Sequence, residues 1–283
     1  MAETVCILGA TGFIGARTLR RFAGREVRVL QGSADDPAAL DRTLLADCVV
    51  LNFVYGGAAD ARRIAEAVGA ACARRKVRRL VQVSSIDVYG TTPGALIDEG
   101  SPCRPETDYQ RAKYACEEIF AAATAYEVVI LRPAAVFGPG GRNLESLAQR
   151  VLRQPWPLRY ARACAMGRRR MHVVDVEHVA AATQWAASAP LAEPAERFIV
   201  AQDEEAQNNY ASLEAFFVQH LGRAAYPLPP ISVPAGVQRL ALRMAEPQRR
   251  YSSAKLAARG FRGPRPFAAA LDEYADWMRN ANP

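Results

Sequence analysis

The 283-residue chain carries only three histidines, no pair of cysteines spaced C-x-x-C, and no cluster of cysteine with histidine. Structural zinc sites and redox dithiols therefore have no ligand spacing to rest on, and His178 and His220 stand isolated. No run of about 18 apolar residues is present, so no segment reads as a bilayer span. The first apolar strand begins at Val5 with no signal-type stretch ahead of it. Internal repeats, low-complexity tracts and independent linkers are also missing, which argues against a solenoid or a string of modules. The six cysteines, Cys6, Cys48, Cys72, Cys103, Cys116 and Cys164, lie mostly inside apolar runs and read as free thiols of a reduced, cytoplasmic protein.

What is present fits a soluble α/β protein. Apolar residues make up 50% and charged residues 23% of the chain, and 30.8 kDa is enough for one large domain with a small lobe. Lys plus Arg exceed Asp plus Glu by 36 to 29, a net +7 that favours anionic ligands. The arginines Arg62, Arg63, Arg74 and Arg75 are scattered along helices without interleaved aromatics, which argues against a nucleic-acid platform. A small phosphorylated molecule is the simpler partner.

The organising stretch is the apolar run Val5-Cys6-Ile7-Leu8 leading into Gly9, Ala10, Thr11, Gly12, Phe13, Ile14 and Gly15. Three glycines at this spacing let the backbone turn sharply, admit a pyrophosphate without a Cβ in its way, and let the following helix pack on the strand. The helix N-terminus adds free N–H groups for the anion. Further on, strands at Val27–Leu30, Val49–Val54, Leu80–Ser84 and Val128–Leu131 alternate with helices at 13–23, 38–45, 58–75 and 109–125. Asp36 caps the second helix and Pro37 opens it. This alternation predicts a parallel, doubly wound sheet. Residues 91–108 read as a loop, 144–152 as a helix outside the alternation, and 172–176 and 198–200 as returns to the sheet around a helix at 179–187. The remainder, with a Pro-rich run at 227–234 and helices near 211–221, 235–245 and 266–278, reads as a smaller lobe. The core would span about 1–140 plus 172–202, and the lobe about 141–171 plus 203–283. The stripe Leu213, Phe216, Phe217 reads as core.

Tyr109 and Lys113 lie four apart at the start of a helix and share a face. An ammonium beside a phenol favours phenolate, so the pair can give or take a proton at a carbinol or ketone oxygen. Taken alone, Tyr-x-x-x-Lys is most often a surface pair. Its setting differs: Ser84, Ser85, Ile86, Asp87, Val88, Tyr89 and Gly90 follow a strand end, where ligands gather in open α/β sheets.

With these residues in view, the sequence resembles the extended short-chain dehydrogenase/reductases, the NAD-dependent epimerase/dehydratase family. The resemblance runs through Gly9 to Gly15, Ser84-Ser85-x-x-Val88-Tyr89-Gly90, Tyr109 with Lys113, Leu131-Arg132-Pro133 to Val136-Phe137-Gly138-Pro139-Gly140, His172 to Val176, Ser252 to Leu256, and Gly260-Phe261. It implies a Rossmann-like fold and a dinucleotide on the turn that includes Gly9, Thr11, Gly12, Phe13, Ile14 and Gly15. It implies Ser85 as catalytic hydroxyl, Tyr109 as acid/base, and Lys113 on the nicotinamide ribose. Arg168 and Arg249, or Arg250 in place of the latter, would face a substrate phosphate. His172 reads as a packed strand residue, since no carboxylate or serine is spaced to use it. Relatives dimerise through two helices whose faces here, Ala67, Ala70, Ala71 and Ala115, Ile119, Ala122, are apolar.

The departures matter as much. Gln31 stands where an NAD-binding unit carries an acidic residue, about 20 residues after the glycines. On alignment, Val27–Leu30 matches the family's third strand and Ser33 stands where an aspartate often reaches the adenine. The second strand and its helix, roughly 20–25 residues of a usual βαβ unit, are then lacking. NAD and NADP both stay open. Ala135 also sits where relatives place a sugar-facing asparagine, and Ile86-Asp87 replaces the acidic pair of dehydratases. The expectation is a hydride-transferring epimerase or ketoreductase on a nucleotide-linked sugar. The alternative is a catalytically silent binding or sensor protein that keeps the fold.

Overall fold

In the computed structural model, which describes residues 4–227 and 249–281, the first apolar run forms strand β1 (Val5–Leu8), buried at every position. Then follow α1 (Phe13–Arg21), β2 (Val27–Val29), α2 (Pro37–Thr43), β3 (Val49–Asn52), α3 (Ala61–Arg74), β4 (Arg79–Val83), β5 (Leu96–Ile97), α4 (Asp108–Ala121) and β6 (Glu127–Pro133). The second half contributes β7 (Ala135–Phe137), α5 (Glu145–Arg153), α6 (Trp156–Met166), β8 (Val173–Asp175), α7 (Val176–Ser188), β9 (Ala195–Val200), α8 (Tyr210–His220), β10 (Arg250–Tyr251), α9 (Ala254–Ala258) and α10 (Phe267–Ala281). Asp36 caps α2, its side chain accepting from the Ala38 N–H, and Pro37 is the first helical residue, as the sequence predicts. Among the described residues no helix is long and apolar enough to cross a membrane.

Six parallel strands form the central sheet in the order β2-β1-β3-β4-β6-β9. Because strand side chains alternate, each strand feeds two cores. Ile7, Leu51, Val81 and Val129 pack on one side, where α1 meets α7; Cys6, Val50, Leu80 and Val128 pack on the other, under α2, α3 and α4. Burial on both faces is why these strands read as continuous apolar runs.

The sheet is one strand short beside β1, where a doubly wound sheet of order 3-2-1-4-5-6 carries two. The alignment anticipates this loss, but the structure corrects which place is vacated. Val27–Val29 pairs directly with β1, Val5 facing Val27 and Ile7 facing Val29, so it fills the second-strand position. The short return over residues 22–26 leads only to the neighbouring edge, and the β1 backbone groups need a partner there.

Two other expectations change. The stretch 91–108 contains β5, which pairs in parallel with β10 and clasps the lobe to the sheet domain. Residues 172–176 do not return to the main sheet: β8 pairs with β7 in a separate two-stranded sheet, because β9 already occupies the edge of β6 along Val128–Pro133. Helix α6 is an addition that the periodicity did not single out. The expected helix near 235–245, and the Pro-rich run beyond Pro227, lie outside the described residues. In the lobe, Leu213 and Phe217 are buried with Leu147, Leu271 and Tyr274, and Phe216 packs against them.

Gly15 is where α1 crosses the turn most closely. A Cβ there would overlap the Gly9 carbonyl oxygen and lie 3.1 Å from Ala10 Cα. Gly15→Ala is therefore expected to lower stability by about 1–3 kcal/mol, read as a shifted midpoint in urea unfolding.

Candidate active site

The carboxyl ends of β1, β3, β4 and β6 open into a cleft of about 630 Å³. Gly12 to Gly15 line one wall, Val83 to Asp87 and Tyr109 with Lys113 another, and Pro133 to Val136 the floor. The lobe closes it with Arg142, Asn143, Met171, His172 and Tyr251. Strand ends supply these groups because there the chain leaves the sheet with its next side chains free of the core.

Ser85 caps the 3-10 turn Ile86–Tyr89, its Oγ accepting from the Asp87 N–H at 3.1 Å. Helix α4 begins at a capping box in which Thr107 and Gln110 satisfy each other's end of the first turn. That fixed start sets Tyr109 in the first turn and Lys113 one turn on. Ser85 and Tyr109 both line the cleft. Burial pushes the Tyr109 phenol above its usual range, the neighbouring Ser85 hydroxyl acts the other way, and Asp87 and Tyr55 add to the rise. The lowering expected from the lysine is not realised in this arrangement. Lys113 Nζ instead lies 4.7 Å from the centroid of the Tyr55 ring and donates to the Val83 carbonyl at 3.4 Å. Its own burial pulls the ammonium below the ordinary lysine range. Tyr55 meets Tyr109 edge-to-face at 5.2 Å, and its buried hydroxyl has no hydrogen-bond partner among the described residues.

Below Lys113 on the same face of α4 sits Glu117, wholly buried. Arg132 of β6, 2% exposed, grips it through Nε at 3.1 Å and Nη2 at 2.6 Å, and donates from Nη1 to the Tyr89 hydroxyl at 2.8 Å. One guanidinium thus ties the catalytic-type helix to the turn that carries Ser85.

The turn fits a dinucleotide. Gly12 caps α1 with no side chain on the free N–H groups, and Gly9 adopts φ +81°. Ser84 Oγ is buried in the cleft wall without a hydrogen-bond partner among the described residues, a hydroxyl available to a ligand. Gly12, Phe13, Ile14 and Gly15 line the cleft, whereas Gly9 and the exposed Thr11 do not. On the adenosine side the exposed Gln31 offers no carboxylate, and Ser33 donates to Asp35, which also pairs with Arg63. Those two partners, Ser33 first, hold the Asp35 carboxyl below its usual range.

Other expected residues lie elsewhere. Arg168 is exposed in the turn after α6 and does not line the cleft. Arg249 is buried and donates to the Gly90 carbonyl at 2.6 Å, while Arg250 pairs with Glu204 at 3.0 Å. His172 is not packed within a strand: it precedes β8 with φ +47° and lines the cleft. Sequence reasoning also missed Tyr55, Arg142 and Tyr251. Tyr55 carried a readable signal, since it stands just past a buried strand end before Gly56-Gly57; the other two reach the cleft only through lobe packing.

A family model described as the NAD dependent epimerase/dehydratase family matches residues 58–201, half of the chain. The chain belongs to this family. The match contains Ser85, Tyr109, Lys113, Glu117 and Arg132, and begins beyond the shortened sheet edge. A curated Escherichia coli relative, N-acetyl-alpha-D-glucosaminyl-diphospho-ditrans,octacis-undecaprenol 4-epimerase, is 27% identical over 184 residues, 53% of this chain and 54% of the relative. The chain thus spans about half the length of that relative. Among solved structures, a Thermus thermophilus UDP-glucose 4-epimerase complex with NAD superposes with a TM-score of 0.71 at 19% identity, covering 99% of this chain and 100% of that one. A Thermotoga maritima UDP-glucose 4-epimerase with UDP-glucose gives 0.75 at 16% identity, covering 99% of each. These likenesses establish that the fold is shared with family epimerases.

Removing one partner of the buried ion pair leaves the other uncompensated. Glu117→Ala is expected to destabilise the protein by about 3–5 kcal/mol, measured by denaturant unfolding, with Glu118→Ala on the exposed face changing little.

Proposed function

We propose that this protein is an NAD- or NADP-dependent epimerase or ketoreductase acting at a secondary alcohol or ketone of a nucleotide-linked sugar. The observation that carries the reading is that Ser85, Tyr109 and Lys113 line one wall of the cleft together, with Lys113 one turn along the helix from Tyr109. The turn from Gly9 to Gly15 would hold the pyrophosphate, and Tyr109 with Lys113 the nicotinamide ribose. When bound, the dinucleotide supplies a hydride acceptor or donor.

The protein's own residues handle the proton. Ser85 donates a hydrogen bond to the substrate oxygen, and Tyr109 gives its phenolic proton to a ketone or takes one from an alcohol. Burial keeps the phenol protonated across neutral pH, which suits the ketone-reducing direction. Lys113 offers a cation that Tyr55 now holds over its ring. Dehydration is disfavoured because the residues after Ser85 are Ile86 and Asp87, with no acidic pair. The names of the similar structures, complexes with NAD and with UDP-glucose, support this substrate class. Gln31, neither acid nor base, leaves both dinucleotides in the proposal. A reduced, cytoplasmic setting and a homodimer through α3 and α4 belong to the same proposal; Ala70 is exposed there and Ala67, Ala115 and Ile119 half-buried.

One observation favours a second reading: the sheet edge that receives adenosine is a strand short. A silent binding or sensor protein would follow if that loss abolished cofactor binding. The test is titration with NADH and NADPH by fluorescence, then incubation with NAD and UDP- or dTDP-hexoses, following epimers by NMR. Saturable binding is expected, and Tyr109→Phe should slow turnover by about 10²–10⁴-fold with dinucleotide affinity largely kept. No binding of either nucleotide at millimolar concentration would favour the silent reading.

A further inference from the structure

The lobe wall of the cleft holds a strained histidine on a buried carboxylate. His172 has φ +47°, a conformation that a non-glycine residue keeps only where its surroundings enforce it, most often at functional sites. Its Nδ1 lies 2.6 Å from Asp203 Oδ2. The Asp203 carboxylate is wholly buried and also accepts from the Tyr251 N–H at 2.9 Å and the Asn208 side-chain amide at 3.4 Å. Among the described residues no lysine or arginine pairs with that carboxylate. Arg170 donates instead to the Asp203 backbone carbonyl. The imidazole is therefore the group that meets the buried charge, and burial of an ion calls for such a partner.

With Nδ1 engaged, Nε2 has no hydrogen-bond partner among the described residues. His172 is about a quarter exposed, lines the cleft, and meets the Tyr251 ring edge-on at 5.1 Å. Arg142 lines the same lobe wall, exposed, with no side-chain partner among the described residues. Among the described residues the one acid that lines the cleft is Asp87, on the Ser85 wall. The Ser85 wall thus sets Asp87 beside Lys113, whereas the lobe wall presents an entering anion with an imidazole and a guanidinium and lines the cleft with no carboxylate among the described residues.

We infer that His172, oriented by Asp203, and Arg142 form the seat for the diphosphate of the substrate, in place of Arg168 and Arg249. The inference rests on the nucleotide-linked substrate proposed above. Asp203 is a positioning residue that acts through His172; Arg142 supplies planar guanidinium donors to phosphate oxygens.

The test measures UDP-glucose, dTDP-glucose and uridine affinities by calorimetry, with NADH present at saturation to fill the glycine turn. His172→Gln and Arg142→Gln are each expected to weaken the nucleotide sugar that binds by about tenfold and to leave uridine unchanged. Asp203→Asn should lower the same ratio of sugar nucleotide to nucleoside affinity. A purely structural tie would instead lower the melting temperature of the His172 and Asp203 variants and leave that ratio alone, which overturns the seat. Arg142, exposed and unpartnered, keeps the test valid should His172→Gln fold poorly: unchanged affinity in Arg142→Gln also overturns it. If the wild type binds neither nucleotide sugar, the substrate proposal and the seat fall together; if it binds one and the variants match it, the seat alone falls.

Discussion

The structure turns on one buried ion pair. Arg132 and Glu117 sit almost without solvent exposure, and the guanidinium is also shared with the Tyr89 hydroxyl. Such a pair is a poor source of net stability, because two charges lose their hydration. Its value here is geometric: it joins β6, α4 and the Ser85 turn at a single point. Tyr109 and Lys113 lie on the same face of α4, eight and four residues before Glu117, so the clamp sets the helix rotation that turns them into the cleft. Arg197 approaches the same carboxylate at 3.7 Å and brings β9 into the junction.

Around this fixed point the ligand-facing parts are less settled. Lys113 rests over Tyr55, and the Ser84 and Tyr55 hydroxyls are buried without hydrogen-bond partners among the described residues. Unsatisfied buried hydroxyls are uncommon, and these two beside the cleft are groups that a ligand could satisfy. The turn from Gly9 to Gly15 lies on the opposite side of β3 and β4 from that clamp, so the sites proposed for pyrophosphate and for proton transfer stand on separate strands of one sheet.

Much of this was legible in the sequence because it rests on local patterns. Apolar runs bounded by turns located the sheet strands; Asp36-Pro37 marked a helix start; the four-residue spacing of Tyr109 and Lys113 set their shared face. Long-range choices were less legible. Nothing local in Val27–Val29 states which edge it joins, and His172–Val176 has strand character whether it pairs with β6 or β7. The pairing was decided by β9, which takes the β6 edge first. His172 read as a packed residue because its carboxylate partner, Asp203, is 31 residues away in sequence. The downward shift expected for Tyr109 failed for a related reason: burial of the phenol, which local spacing does not state, raises it, and Lys113, though on the right face, rests over Tyr55 from another strand end.

In the proposed complex the clamp presents Tyr109 and Lys113 to a dinucleotide laid across the glycine turn. A crystal structure of the protein grown with NADH tests it most directly. Pyrophosphate is expected on the Gly9–Gly15 turn, with ribose hydroxyls at roughly 3 Å from Tyr109 Oη and Lys113 Nζ and the Arg132–Glu117 pair unmoved. A dinucleotide bound elsewhere, or Lys113 still over Tyr55 with nothing on the turn, would contradict it.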